Sequence, residues 1–154
     1  MKIYHLKRTQ ILPIEINTAW DFFSSPRNLS VITPSEMNFE ILSMSGEDKM
    51  YAGQVISYKV NVLPWVRMRW VTEITHVHEP EYFADDQRVG PYTLWHHQHH
   101  FKTTSEGVEM TDEIDYALPL GILGQLAHSL FVRREVNRIF DHRFKVLEMY
   151  FTKN

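Results

Sequence analysis

Six consecutive β-compatible segments, separated by short turns, constrain the fold of this chain more than any other feature. The separators contain Gly, Pro, Ser, Asp and Glu, and the first four are the residues that most favour turns. The segments span residues 38–44, 53–63, 66–78, 82–89, 92–103 and 108–118. Parallel neighbours would need crossover connections of about a dozen residues or more, and these separators are shorter. The pattern therefore predicts an antiparallel meander.

Two further kinds of element precede the meander. Residues 2–12 are rich in β-compatible side chains and predict a first strand, which we place at an edge of the sheet. Asn17 or Thr18 offers an N-cap for a short helix over residues 19–23. Pro26 is then well placed to open a second short helix, because proline is tolerated in the first helical turn.

A long helix is predicted after Gly121, reaching about Phe151. It would contain roughly 30 residues and be ~45 Å long. At 100° per residue its apolar side chains form one stripe, which consists of Leu126, Leu130, Val136, Phe140, Phe144, Leu147 and Phe151. Arg133 and Asn137 fall inside the same stripe. We expect them either to reach into a cavity or, for Arg133, to extend its guanidinium to solvent at an open end.

Composition narrows the class of protein. The chain has 154 residues, is 44% hydrophobic and 13% aromatic, and lacks cysteine. This length predicts a single domain over residues 1–154. The formal charge of -3 gives no reason to expect nucleic acid as a partner, and no apolar run is long enough for stable membrane insertion. We expect a cytoplasmic protein that is a monomer or a weak homodimer.

Two groups of residues resemble a known superfamily. The first combines residues 12–14, 19–23, 25–29 and 32–34, and the second combines residues 90–92, 95–101, 112 and 116–121. Both are similar to the START-like, or Bet v 1-like, superfamily, in a bacterial branch of its polyketide cyclase and dehydrase group. This resemblance implies an α+β helix-grip fold, with about seven strands curved around a long C-terminal helix. It also implies a cavity for a small hydrophobic molecule.

Strand parity places polar residues on an apolar face. In segment 92–103, Trp95, His97 and His99 share the face that we take as interior. A two-residue or four-residue loop to the next strand makes paired residue numbers sum to 211, so that His99 faces Asp112 and Trp95 faces Tyr116. Three interpretations of His97, His99 and Asp112 remain open at this point: a satisfied core cluster, an anchor for a polar group of the ligand, or an acid–base catalytic group.

The predicted function follows from this interior face. We expect a small hydrophobic ligand, such as a lipid or a polyketide, between the sheet and the long helix. The predicted ligand-binding residues are Trp70, Thr72, Trp95, His97, His99, Asp112, Tyr116, Arg133, Asn137 and Phe140. The alternatives are a cyclase- or dehydratase-like enzyme that uses the same cavity, and a protein-interaction module without a ligand.

Metal binding is the remaining class to weigh, because the chain has nine histidines. His76 with His78, and His97 with His99, have the spacing that puts two imidazoles on one strand face. The cupin motif nevertheless fails, because Gln98 occupies its third position. The sequence therefore predicts no metal and no other cofactor. The apolar turn 63–66 is expected either to pack on the long helix or to gate the cavity.

Overall fold

A computed structural model describes residues 1–63 and 65–152. Its strands are β1 (Tyr4–Leu12), β2 (Glu40–Met44), β3 (Val55–Leu63), β4 (Val66–His78), β5 (Tyr82–Val89), β6 (Leu94–Thr104) and β7 (Gly107–Ala117). Their order in the sheet is β1-β7-β6-β5-β4-β3-β2, with every neighbouring pair antiparallel. The predicted meander is therefore confirmed, and β1 occupies an edge beside β7.

The helices also occur where the sequence predicts them. Helix α1 (Ile16–Phe23) is followed by a 3-10 turn (Pro26–Asn28), by α2 (Leu29–Ile32) and by a second 3-10 turn (Ser35–Met37). The C-terminal helix consists of α3 (Gly121–Ala127), a π-helical segment (His128–Val132) and α4 (Arg133–Thr152). The predicted N-cap was wrong, because α1 begins earlier, after Glu15, and no side chain caps it.

The apolar stripe of the C-terminal helix is only partly as predicted. Val136, Phe140, Leu147 and Phe151 are buried, whereas Leu126, Leu130 and Phe144 are exposed. The π-helical segment explains the first two. It adds one residue to the helical repeat, which rotates the residues before it by about 100° relative to those after it. Gly124 and His128 face the interior there instead.

Two hydrophobic clusters hold the helices on the concave face of the sheet. In the larger one, the Trp20 ring of α1 packs edge-on against Phe83 and Phe101 of the sheet, at centroid distances of 6.0 and 6.1 Å. In the smaller one, Val136 and Phe140 of α4 pack on Ile114 and Tyr116. The first contact holds α1 on the sheet, and the second holds the first half of α4 against β7.

Trp65, in the β3–β4 turn, does not pack on the long helix. The Trp65 side chain is 96% exposed, so this interpretation was wrong for Trp65. Pro64 lies outside the described residues. In the part of the chain that the structure describes, none of the helices is long and apolar enough to cross a membrane.

The β6–β7 turn depends on a glycine. It is the two-residue loop, with Thr104 paired to Gly107. Gly107 has a φ of +127°, and a Cβ added there would lie 2.1 Å from the carbonyl oxygen of Leu12. We expect Gly107→Ala to lower the free energy of unfolding by about 1 to 3 kcal/mol, because both the backbone conformation and the contact are unfavourable for alanine.

Gly53→Ala is the matched control for this prediction. Gly53 also has a positive φ, +95°, but nothing lies within 4 Å of the position that a Cβ would take. It therefore carries the backbone strain without the steric clash. Urea unfolding of both variants should show the larger loss for Gly107→Ala, and equal losses would contradict the close approach to Leu12.

Candidate functional site

A cavity of about 210 Å³ lies between the sheet, the short helices and α4. Most of its wall is apolar and includes Ile32 of α2, Val60 of β3, Ile74 of β4, and Val136 and Ile139 of α4. We call it the central cavity. Its volume is below the range of about 300 to 1,000 Å³ typical of ligand pockets, which favours a small ligand.

One wall of the central cavity is polar. Strand register places Asp85 of β5 opposite His97 of β6, and His99 of β6 opposite Asp112 of β7. Arg143 enters from α4, with its Nη2 atom 3.4 Å from Asp112 Oδ1. We call these five residues the buried polar cluster. Four of them line the cavity, and Asp112 lies behind the two histidines with only 3% of its surface exposed.

The predicted pairing of His99 with Asp112 is confirmed in register but corrected in detail. The aligned hydrogen bond runs from His97 Nε2 to Asp112 Oδ1, at 3.1 Å. His99 Nδ1 lies 2.9 Å from the same oxygen but is not aligned for a hydrogen bond. His99 Nε2 instead donates to Asp85 Oδ2, at 3.1 Å. His97 is thus a direct partner of Asp112.

Asp85 and Arg143 were missed by the sequence analysis. Arg143 stands three residues after Phe140 and four before Leu147, which is the spacing of the buried helix face, so its position was detectable. Its guanidinium lies over the rings of Phe23 and Phe140, at 5.6 and 5.8 Å. Asp85 follows Phe83 by two residues on β5. Residues two apart share a face of a strand, so the sequence indicated that Asp85 lies on the same face as Phe83.

The cluster holds its members in different protonation states. Burial and the charge of His99 lower the pKa of His97 to about 4. Burial also disfavours charge on His99, but its contacts with Asp112 and Asp85 raise its pKa overall. Burial acts against the Asp112 carboxylate as well, yet Arg143 and the two imidazoles hold its pKa well below the usual range. His97 is therefore the neutral ring at neutral pH, and of the two imidazoles His99 is the one that binds a proton more readily.

Trp70 and Thr72 line the cavity on β4, as predicted, and Trp95 and Phe140 line it as well. Trp70 Nε1 donates to Thr72 Oγ1 at 3.0 Å, and the hydroxyl of Tyr58 lies 3.3 Å from the same oxygen. Burial raises the pKa of Tyr58, which keeps its hydroxyl protonated. Tyr58 therefore offers a second polar position on the wall.

Four predicted site residues are not on the wall of the central cavity: Asp112, which lies behind the two histidines, and Tyr116, Asn137 and Arg133. Tyr116 is buried, but its hydroxyl pairs with His128 Nε2 at 2.9 Å. Asn137 accepts a hydrogen bond from Arg8 on β1. Arg133 is exposed. The α4 residues that line the cavity are Glu135, Val136, Ile139, Phe140 and Arg143, and neither Asn137 nor Arg133 is among them.

Comparison with known proteins places this fold. No protein-family model matches the chain, and no curated protein sequence matches it. Among solved structures, TTHA0849 from Thermus thermophilus aligns with a TM-score of 0.69 at 16% identity, covering 95% of each chain. Norcoclaurine synthase from Thalictrum flavum aligns at 0.68 and 10% identity, covering 97% of this chain and 96% of that one.

A third structural neighbour is StfQ, a di-domain aromatase/cyclase from the steffimycin biosynthetic pathway. It aligns with a TM-score of 0.72 at 11% identity, covering 98% of this chain and 52% of that one. Identities this low establish the fold alone. The chain therefore has the Bet v 1 helix-grip fold, in which a curved antiparallel sheet encloses a long C-terminal helix.

Proposed function

We propose that this protein binds a small, mostly apolar molecule in the central cavity. The observation that carries the proposal is the combination of an apolar wall with one polar side, formed by Asp85, His97, His99 and Arg143. Ligand pockets are typically apolar with a few polar groups that fix orientation. In this proposal the apolar body of the ligand lies among Ile74, Val136 and Ile139, and its polar group meets the histidines.

The charge of the polar side indicates what that group is. Arg143 carries a positive charge next to the cavity, the raised pKa of His99 favours its protonated form, and His97 offers the unprotonated Nδ1 of a neutral ring. A hydroxyl, a carbonyl or a carboxylate on the ligand would find donors there. The apolar enclosure strengthens each of these interactions, because water competes for them less than it would at the surface.

Acid–base catalysis is the second candidate function. It requires that a proton-transferring group reaches the bound molecule, and both His97 and His99 line the cavity. The pKa of His97, at about 4, makes it a weak base near neutral pH. The raised pKa of His99 makes it the better candidate for a general acid. Binding is the stronger proposal, because His99 already donates to Asp85.

Binding is tested with probes of matched size. Naphthalene, 2-naphthoate, octanoate and a simple phenol are titrated against the protein by calorimetry, and native mass spectrometry of protein purified from bacteria reports any molecule that is already bound. We expect saturable 1:1 binding of at least one probe. Ile139→Trp, which places an indole in the cavity, should weaken that binding by about tenfold or more, or about 1.4 kcal/mol.

Ile122→Trp is the matched control, because Ile122 lies on α3 and is exposed. It should bind the probe as the wild type does. If no probe and no co-purified molecule binds, the proposed function is wrong. Equal affinity in the wild type and in Ile139→Trp would show that the molecule binds outside the central cavity.

The proposed cellular location and oligomeric state are those expected from the sequence. We propose a cytoplasmic protein, because a chain with no cysteine suits a reducing compartment. We also propose a monomer or a weak homodimer. Sedimentation analysis at several concentrations tests the second statement.

A further inference from the structure

Three members of the buried polar cluster converge from two adjacent strands. Asp85, His97 and His99 each present one ligand atom, and these atoms lie within 4.8 Å of one another. Asp85 Oδ2 is 3.1 Å from His99 Nε2 and 3.8 Å from His97 Nδ1. These distances are close to the separations between ligands on one metal ion, since each ligand atom would be about 2.0 to 2.2 Å from the metal.

One carboxylate lies beside the second nitrogen of each imidazole, and it is hydrogen-bonded to that of His97. His97 Nε2 and His99 Nδ1 lie 3.1 and 2.9 Å from Asp112 Oδ1. Histidines that bind metals typically direct their other ring nitrogen at a carboxylate or a carbonyl, which fixes the tautomer and the ring orientation. Arg143 in turn contacts that carboxylate, at 3.4 Å. Asp112 is therefore placed as an outer-shell partner of both rings.

We propose that Asp85, His97 and His99 bind one divalent transition-metal ion at the polar side of the central cavity. Two imidazoles and one carboxylate suit Zn²⁺, Co²⁺ or Fe²⁺, whereas Ca²⁺ and Mg²⁺ prefer oxygen ligands. Three protein ligands leave a coordination position open, as in catalytic rather than structural sites. That position faces the cavity, because all three residues line it.

The local charge is compatible with such an ion. With both histidines neutral, the two carboxylates and the one guanidinium of the cluster sum to a charge of about minus one. A divalent cation would reverse that sign and attract an oxygen of a ligand or of water to the open position. The sequence analysis expected no metal because its strand motif lacked a third ligand, and Asp85 supplies one from the neighbouring strand.

Cobalt titration tests this proposal. Protein treated with a chelator is titrated with Co²⁺ by visible absorption and with Zn²⁺ by calorimetry. We expect one saturable site with the intense visible bands of a low-coordinate cobalt complex. Asp85→Asn and His99→Gln should each lower the affinity by about 100-fold, because each removes a ligand, whereas an outer-shell change costs about 10- to 100-fold. Circular dichroism and thermal unfolding confirm that both variants are folded.

A neighbouring pair provides the control. His96 Nδ1 and Asp86 Oδ1 are 2.6 Å apart on the other face of the same two strands. Asp86→Asn and His96→Gln should keep the cobalt site unchanged. The proposal is overturned if no stoichiometric site is found, if Asp85→Asn binds cobalt as tightly as the wild type, or if His96→Gln abolishes the site.

The metal proposal and the ligand proposal fail independently. Naphthalene, 2-naphthoate, octanoate and the phenol are titrated against chelator-treated protein, so their binding does not depend on a metal. Ile139→Trp should weaken probe binding and retain the cobalt spectrum. A protein that binds cobalt at this site but binds no probe would refute only the proposed ligand binding, and the reverse result would refute only the metal site.

Discussion

Replacing Asp112 by alanine is expected to lower the free energy of unfolding by about 3 to 5 kcal/mol, because it leaves buried charges without their partner. Asp112 pairs with His97, His99 and Arg143, and all four side chains are almost fully buried. Removing only the carboxylate would leave the guanidinium of Arg143 in an apolar environment. Chemical denaturation of chelator-treated protein measures the loss.

Asp115→Ala is the matched control. Asp115 lies on the same strand, but its side chain is 41% exposed and pairs with His5 at the surface. Its loss should cost less than about 1 kcal/mol. The double variant Asp112→Ala with Arg143→Met should recover part of the loss, because both charges are then absent.

A loss of probe affinity without a loss of stability would show that the buried polar cluster serves ligand binding. If Asp112→Ala unfolds at the wild-type denaturant concentration and has lost affinity for the probe, the carboxylate serves binding rather than stability. Unchanged stability together with unchanged probe affinity would contradict the buried position of Asp112.

Acidification from pH 6.5 to pH 4 is expected to cost about 3 kcal/mol of stability through His97 alone. Its pKa is about 4 in the folded protein and close to the ordinary 6.5 in the unfolded chain. In this interval the unfolded chain binds the proton and the folded protein does not, so stability falls as the pH falls. Each pKa unit contributes about 1.4 kcal/mol.

The two other members of the cluster with shifted pKa values, His99 and Asp112, act outside this interval. The raised pKa of His99 gives stability that is fully present below pH 6.5 and is lost as the pH rises through its folded pKa. The lowered pKa of Asp112 gives stability that is present above the ordinary aspartate pKa of 3.8 and is lost at lower pH. The interval from pH 6.5 to 4 therefore isolates His97 among these three.

Unfolding of the chelator-treated protein at a series of pH values measures this effect. His97→Gln should show a shallower loss between pH 6.5 and pH 4, and His96→Gln should show the wild-type loss. Nitrogen NMR of the imidazoles reports the same event directly, with His97 remaining neutral to about pH 4. A His97 ring that gains its proton near pH 6.5 would contradict the lowering of its pKa by burial.

Local pattern was enough to predict the sheet. Alternation of apolar and polar residues, together with turn chemistry, predicted the meander, and the bounds of β4 and β5 were predicted to the residue. Parity also predicted the facing of His99 and Asp112, because both loop lengths considered for the β6–β7 turn lead to the same register. These features depend on residues close in sequence, so one chain contains the information.

The phase of the C-terminal helix was decided by tertiary structure. A uniform repeat of 3.6 residues placed Leu126 and Leu130 inside, but the π-helical segment turns them to solvent. A helix tolerates such a segment where packing on a sheet compensates for it, and here the ring of His128 stacks on Tyr4 at 3.4 Å. Local propensity does not include that contact, because Tyr4 lies at the other end of the chain.

The sequence by itself therefore determined the strands, their order in the sheet, and the pairing of His99 on β6 with Asp112 on β7. The tertiary structure decided which residues complete the site. Asp85 lies on β5, the other neighbour of β6, and Arg143 lies on the C-terminal helix, which follows the last strand. Arg143 meets Asp112 only when the helix packs on the sheet, where burial makes each carboxylate and cation require a partner.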